Sequence, residues 1–444
     1  MDVQQIRQLP RKLEAFLGAF DDCFARSEGR EHLRRYTGGQ LANLPGKTVE
    51  HLAEHAQVPA RTLQDFLATH HWDHERAVDR LQQIVAEHHH DEQAIGLIDE
   101  SGFPKRGDKT AGVARQWCGR SGKIDNCMIS VALGYASFAG SFRCTLDSEL
   151  YLPQQWDEDR SRCEEAGIPS HLRHQPKWRI ALDLLERAQD NGVQFRWLTF
   201  DEAYGNNTHF LQALQRMGQR YVAEVPTSFH GWLIEPTVLQ KEHHTRRKNG
   251  APRRFPRLAS QSAKAKPVER LCRYSPAMRD QPWQNFYVKE GSKGPILWQA
   301  KAARFRINQR IEGASHARTL PSAPHWLVMA TNPNSGEVKY FVSNAPAGTP
   351  LETILHVAFA RWHIERCFQD EKSQLGLDAF ECRRYTAIRR HFVLSAIAHL
   401  FLASERLKQA KAGEKTFDVA ATSKSRRCRA GRPIPQPQPA AATA

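Results

Sequence analysis

The stretch Ala94-Ile95-Gly96-Leu97-Ile98-Asp99-Glu100-Ser101-Gly102-Phe103-Pro104 decides the fold. It opens with a short apolar run, too short for a helix, that ends in two acids and a turn-rich Ser-Gly-Phe-Pro. The natural reading is a buried strand that delivers a carboxylate at its end. The device recurs: Val193–Phe200 is strand-like and ends in Asp201-Glu202. Between the two lie strand-like Cys127–Tyr135 and Ser141–Leu146, then an amphipathic helix over Trp178–Ala188 stopped at Asn191-Gly192. A helix over Asn207–Met217 and a strand over Tyr221–Val225 follow. The pattern resumes with strands at Trp326–Ala330 and Val338–Val342, and closes with a helical region from Leu351 to about Leu407. This order predicts a mixed α/β domain interrupted by an insertion.

Upstream, the pattern is helical. Leu13, Phe16, Leu17, Phe20 and Phe24 recur at helical spacing, and further periodic stretches begin at Lys47, Thr62 and Ala77. Short helices broken at Gly38-Gly39 and Pro59 suit a small bundle, with a helix-turn-helix variant as one form of it. The run His88-His89-His90 reads as a solvated helix end, because adjacent histidines do not share a helix face.

The chain has 444 residues and a formal net charge of +15, which points to a polyanionic partner, most often nucleic acid. From Lys241 to Arg310 eighteen Lys or Arg face four acids, so this stretch holds nearly the whole surplus. It contains Arg246, Arg247, Lys248, Arg253 and Arg254, then Tyr274, Trp283, Phe286, Tyr287, Trp298 and Phe305 among further basic residues. Cations for phosphates and rings for bases or sugars fit DNA contact; the plainer alternative is a solvated basic loop with core aromatics. Nine scattered cysteines without a C-x-x-C pair suggest reduced thiols, and Met1-Asp2-Val3-Gln4-Gln5 carries no leader pattern, so a cytoplasmic location is expected. The apolar run Phe392–Ala403 is too short to span a bilayer and reads as a buried helix. After about Lys411 the sequence loses its period and is expected to be disordered.

Asp99 and Asp201, each at a predicted strand end, are fixed by the sheet yet open to solvent. Glu365 is the best third acid. Arg361, Glu365 and Lys372 stand at i, i+4 and i+11 and would share one helix face. Three carboxylates without Cys or clustered His favour a hard cation, Mg²⁺ or Mn²⁺. Two such ions about 3.5–4 Å apart can hold the attacking and leaving oxygens of a phosphoryl displacement. An ordinary Arg361–Glu365 surface pair with two unrelated strand-end aspartates is the competing reading. Glu100, Glu202 and Glu371 are competing acids, although Glu100 and Glu202 should point away from Asp99 and Asp201.

These residues give the sequence a resemblance to the bacterial insertion-sequence transposases of the DDE superfamily, in the branch with a Tyr-Arg-Glu-Lys signature. Arg361, Glu365 and Lys372 match its last three members, while Ala358 stands where the Tyr belongs. Ile98–Gly107, Gly112–Gly119, Leu150–Pro153 with Trp156, and Thr199–Gly205 look like further motifs of one subgroup. The resemblance covers roughly residues 30–405. It implies a ribonuclease-H-like mixed-sheet catalytic core with a basic, β-rich insertion, preceded by an N-terminal helical domain. The divisions implied are residues 1–92 for DNA binding, 93–225 and 321–410 for the core, 226–320 for the insertion and 411–444 for a basic, Pro-rich tail. Asp99, Asp201 and Glu365 would bind two Mg²⁺ ions, with Mn²⁺ able to substitute. A strand would be nicked at the transposon end and its 3′-hydroxyl joined to target DNA. Arg361 and Lys372 would contact phosphates, and the N-terminal helices the terminal inverted repeats, in a homodimer associated with the bacterial nucleoid. Ala358 puts hairpin-forming chemistry in doubt. Two alternatives stand beside this reading: an inactive transposase-derived DNA-binding regulator, and a stand-alone nuclease of the same fold.

Overall fold

The computed structural model describes residues 3–240, 255–291, 294–311 and 319–424. Arg246, Arg247, Lys248, Arg253 and Arg254, the densest part of the basic stretch, lie outside them, as do residues 425–444 of the tail.

Five helices come first: α1 (Val3–Gly18), α2 (Ser27–Leu41), α3 (Val49–His55), α4 (Ala60–Ala68) and α5 (His74–His88). Gly38-Gly39 does not break a helix; it lies inside α2. A Cβ on Gly39 would sit 3.0 Å from the Leu52 side chain, so the glycine lets α3 pack closely on α2. The turn joining α3 to α4 passes through Gln57, whose φ is 55°. Leu52, Leu63, Phe66 and Leu67 are buried beneath the two helices, and Arg61 and Gln64 are exposed on α4. His89 stacks on Phe142 with ring centroids 3.8 Å apart, so the histidine run is half packed and not wholly solvated.

The sheet begins with β1 (Ile95–Pro104), β2 (Ala114–Cys118), β3 (Lys123–Ala136) and β4 (Arg143–Leu150). After α6 (Lys177–Asp190) come β5 (Trp197–Phe200), α7 (Glu202–Gly205), α8 (Thr208–Arg216) and β6 (Tyr221–Val225). A hairpin of β7 (Gln284–Gly291) and β8 (Gly294–Arg310) precedes β9 (His325–Thr331) and β10 (Val338–Ser343). The central order is β8-β9-β10-β6-β5-β1-β3, with β4 and β2 along β3. β1, β5 and β6 run parallel; β3 is antiparallel to β1, and β10 to β6. The fold is thus a mixed α/β protein with one large mixed sheet and N-terminal helices.

β8 pairs in register with β9, so the second half of the basic stretch is built into this sheet. That divides its aromatics. Trp298 and Phe305 are core residues, whereas Tyr274, Trp283 and Tyr287 are exposed.

The final helical region is broken. α9 (Leu351–Ala360) is followed by α10 (Trp362–Asp370), a wider π-type turn (Glu371–Leu375), a loop and α11 (Tyr385–Lys424). α11 runs past Lys411, where the sequence period ends, through a stretch rich in the good helix formers Ala, Lys and Glu. No helix among the described residues is long and apolar enough to cross a membrane.

Odd-numbered residues of β1 face α9 and α10: Ile95 and Leu97 share a core with Ile354, Val357 and Ile364. Ile98 lies on the opposite face, in the core with Leu185 and Leu198.

Candidate active site

Strand register assembles the acids. Ile98 pairs with Phe200 across the parallel β1–β5 ladder, and Phe200 pairs with Ala223 across β5–β6. One residue further along lie Asp99, Asp201 and Glu224, so three adjacent parallel strands each bring a carboxylate to the same level. β1 does not stop at Asp99 as its sequence suggested. Its antiparallel pairing with β3 continues to Pro104, beyond the point where β5 ends. Asp99 is therefore held in mid-strand, with its side chain only 15% exposed.

Asp201 caps α7: its Oδ1 accepts the backbone N–H groups of Ala203 at 3.0 Å and Tyr204 at 3.3 Å. Gly205 ends this short helix against β6, where a Cβ would fall 1.9 Å from the Glu224 carbonyl oxygen. The side chain of Asp201 is thus fixed by its own loop.

Arg361, at the joint between α9 and α10, ties the group together. Its Nη1 donates to Asp99 Oδ2 at 3.1 Å and its Nη2 meets Glu365 Oε1 at 2.7 Å. Its Nε lies 4.0 Å from Glu224 Oε2, and Glu224 also accepts from Lys339 at 2.6 Å. The structure therefore brings Asp99, Asp201, Glu365 and Arg361 together, and adds Glu224 and Lys339. Sequence reading missed Glu224. Its signal was an acid in the apolar strand Tyr221–Val225, visible as a partner only once the β5–β6 register is known.

Lys372 does not join them. It lies further along the helix, at the start of the wider turn Glu371–Leu375. Its ammonium stands 5.3 Å from the Phe103 ring centroid and 5.7 Å from that of Phe368, further along β1. The competing acids are occupied elsewhere. Glu100 points to the other face and pairs with Lys177 at 2.5 Å, as alternation along a strand requires. Glu371 is buried with His399 at 3.0 Å, and Glu202 lies in the first turn of α7. Ala358 is buried in the core under α9.

Electrostatics mark the site. Burial pushes the Asp99 carboxyl up, Arg361 pulls it back, and Asp201 and Glu365 push it up again, to about 7. Asp201 is also raised, chiefly by burial and against two backbone hydrogen bonds. Carboxylates destabilised by burial and by one another favour an added cation. Their hard oxygen donors suit Mg²⁺ or Mn²⁺, and the Arg361 guanidinium now supplies the positive charge between them. Among the described residues no three His, Cys, Asp or Glu side chains already form a ready-made metal cage. Arg361 lies between Asp99 and Glu365, and drawing the three acids together would require it to move.

Two comparisons relate the chain to known proteins. The family described as DDE superfamily endonuclease matches residues 19–295, a span that includes Asp99 and Asp201 and stops before Glu365. The chain is also 26% identical over 207 residues to a protein of Microchaete diplosiphon named "Probable transposase for insertion sequence element IS701". That alignment covers 46% of this chain and 50% of the relative, so the chain spans about half the length of the relative it matches. With the match extending over more than half of its residues, the chain belongs to the DDE superfamily of endonucleases.

Proposed function

We propose that the protein is a metal-dependent DNA transposase that nicks a strand at transposon ends and joins the freed end to target DNA. The observation that carries this reading is the convergence of Asp99 and Asp201 at one level of the sheet, with Glu365 held to Asp99 through Arg361. The strand order β4-β3-β1-β5-β6, antiparallel on one side of β1 and parallel on the other, supports a ribonuclease-H-like core.

Asp99, Asp201 and Glu365 would hold the divalent cations, Mg²⁺ or Mn²⁺, whose charge offsets that developing on the attacking and leaving oxygens. The remaining chemistry belongs to the chain. Asp201 keeps its orientation because its loop hydrogen-bonds it. Asp99 must shed its proton to act as a ligand, and its raised pKa places that step near neutrality. Arg361 is then released from Asp99 and Glu365 to hold a phosphate oxygen of the DNA. Lys372 and the basic residues of the β7–β8 region extend the contact along the backbone. The α3–turn–α4 unit, with Arg61 and Gln64 exposed on its second helix, is suited to reading the terminal repeats. Two copies would act together on DNA.

The test uses a labelled duplex carrying the DNA that flanks the protein's own gene, incubated with Mg²⁺, Mn²⁺ or EDTA. Metal-dependent nicks and joined products are expected, and Asp99→Asn, Asp201→Asn and Glu365→Gln should each abolish them while DNA binding persists. Cleavage retained in one variant removes that residue from the triad. Nicking without joining identifies a stand-alone nuclease, and binding without nicking an inactive regulator.

A further inference from the structure

The β2–β3 hairpin carries an exposed apolar pair that the catalytic reading does not use. Trp117 and Ile124 stand directly opposite each other across the two strands and are 61% and 60% exposed. They lie beside the tight turn through Gly122, whose φ is +63°. Arg115 is exposed two residues before Trp117, on the same face. Arg120 and Lys123 flank the turn, and Arg120 is paired with Asp378. The hairpin's own acid, Asp125, is opposite Gln116 on the other face. The apolar face of this hairpin therefore carries Arg115 and no acid from its own strands, while Lys123 turns to the other face.

Register relates this face to the active site. Asp99 pairs with Ala132 on β3, and Ile124 lies eight residues before Ala132 on the same strand. An even step keeps side chains on one face, so Ile124, Trp117 and Arg115 project from the face of the sheet that bears Asp99. Eight residues of strand span roughly 27 Å, the length of about eight base pairs of B-DNA. Cations mark the route between. Arg361 stands at Asp99, Lys372 lies over Phe103, and Lys105 lies 3.5 Å from the Phe380 ring centroid, which itself packs on Phe103. Arg120 follows, beside Asp378.

We propose that the hairpin is a second DNA contact: Trp117 and Ile124 pack into the duplex about eight base pairs from the scissile phosphate. Arg115, on the same face, holds a flanking phosphate. The occupant is duplex DNA because the apolar pair shares its face with Arg115 and lies at the end of a run of cations, Arg361, Lys372, Lys105 and Arg120, that starts at the carboxylates. This inference rests on the DNA-cleaving reading above and adds where the DNA runs.

The experiment compares the full-length protein with Trp117→Ala, Trp117→Phe and the double variant Trp117→Ala/Ile124→Ser. All four should melt together, because both side chains are exposed. Binding is measured to the labelled duplex flanking the gene, and to shorter versions truncated progressively toward the nick. The double variant should bind the long duplex about tenfold more weakly and lose footprint protection about eight base pairs from the nick. Trp117→Phe should recover most of that affinity. The full-length protein should lose affinity once the duplex no longer reaches the hairpin, and the double variant should be indifferent to that shortening. Equal affinities and footprints for a full-length protein that binds and nicks the DNA overturn the hairpin contact alone. Loss of dimer in the double variant on sedimentation, with DNA affinity unchanged, assigns the pair to a second copy of the chain and also overturns it. A full-length protein that neither binds nor nicks overturns both proposals.

Discussion

Two arginines each gather three acids, and they differ in where they sit. Arg389, on α11, is 1% exposed and lies 3.0 Å from Asp147, 3.3 Å from Glu149 and 3.4 Å from Glu75. Those acids come from β4 and α5, so Arg389 joins the sheet, the N-terminal helices and the C-terminal helix. Arg361 has the same kind of partners, but its side chain is 22% exposed and Glu365 is 56% exposed. Glu75 and Asp99, one carboxylate from each cluster, respond in opposite ways, while burial raises Glu149 beside Arg389 as well. Burial would raise Glu75, yet Arg389 and Arg187 outweigh it and hold the carboxyl down at about 2. At Asp99 burial outweighs Arg361, and the carboxyl rises to about 7. One cluster is sealed, with Arg187 adding a second cation, and is a fastener. The other has a single arginine among its acids and is open on one side, as the proposed exchange of its guanidinium for metal and phosphate requires.

The largest effect should come from breaking the sealed cluster. Arg389→Met leaves two buried carboxylates without their main cation and should destabilise the protein by about 3–5 kcal/mol in urea unfolding. A midpoint unchanged from wild type would deny that cluster its structural role. Arg361→Ala should destabilise the metal-free protein by only about 1 kcal/mol, since its partners are partly solvated. Millimolar Mg²⁺ should restore the loss, whereas no divalent ion should rescue Arg389→Met. Rescue of both or of neither would erase the distinction between fastener and exchangeable cation.

Their pH responses should carry opposite signs. Folded Asp99 holds a proton that the unfolded chain releases between pH 3.8 and about 7, so its contribution to metal-free stability falls as pH rises through that window. Asp99→Asn should flatten that slope, and Mg²⁺ affinity should increase as pH passes 7 in wild type. Glu75 is the reverse: its contribution is present above pH 4.5 and is lost as pH falls toward 2. Unfolding midpoints across pH for wild type, Asp99→Asn and Glu75→Gln would separate the two, and parallel curves would refute the assignment. The smallest effect is expected at Glu224→Gln, which weakens the 2.6 Å pairing with Lys339 and removes the most distant of the contacts to Arg361, and should shift stability by about 0.5 kcal/mol. Loss of nicking as complete as in Asp201→Asn would instead make Glu224 a metal ligand.

The reach of the sequence follows the range of the interactions. Asp99 and Asp201 could be found because an apolar run that ends in an acid is a local signal, and Arg361–Glu365 because helical spacing pairs i with i+4. Lys372 was legible only in part: helical spacing carries its face back to Phe368, but its seat beside Phe103, at the start of the wider turn where Glu371 is buried against His399, is set by packing. The basic stretch was legible as charge but not as structure, since Trp298 and Phe305 become core only when β8 enters the sheet.

By itself the sequence determined which segments are strands and helices around the site, which side of β1 carries Asp99, and the chemical type of the candidate ligands. Those follow from periodicity and residue chemistry within a few positions. Tertiary structure alone decided that Glu224 stands level with Asp99 and Asp201, that Arg361 rather than Lys372 sits among the acids, that Arg389 is sealed, and that Trp117 and Ile124 share a face with Asp99. Each depends on the register between strands distant in the chain, or on which helix covers which face. The balance of burial against nearby arginines then determines whether such a carboxyl is held down at about 2 or pushed up to about 7.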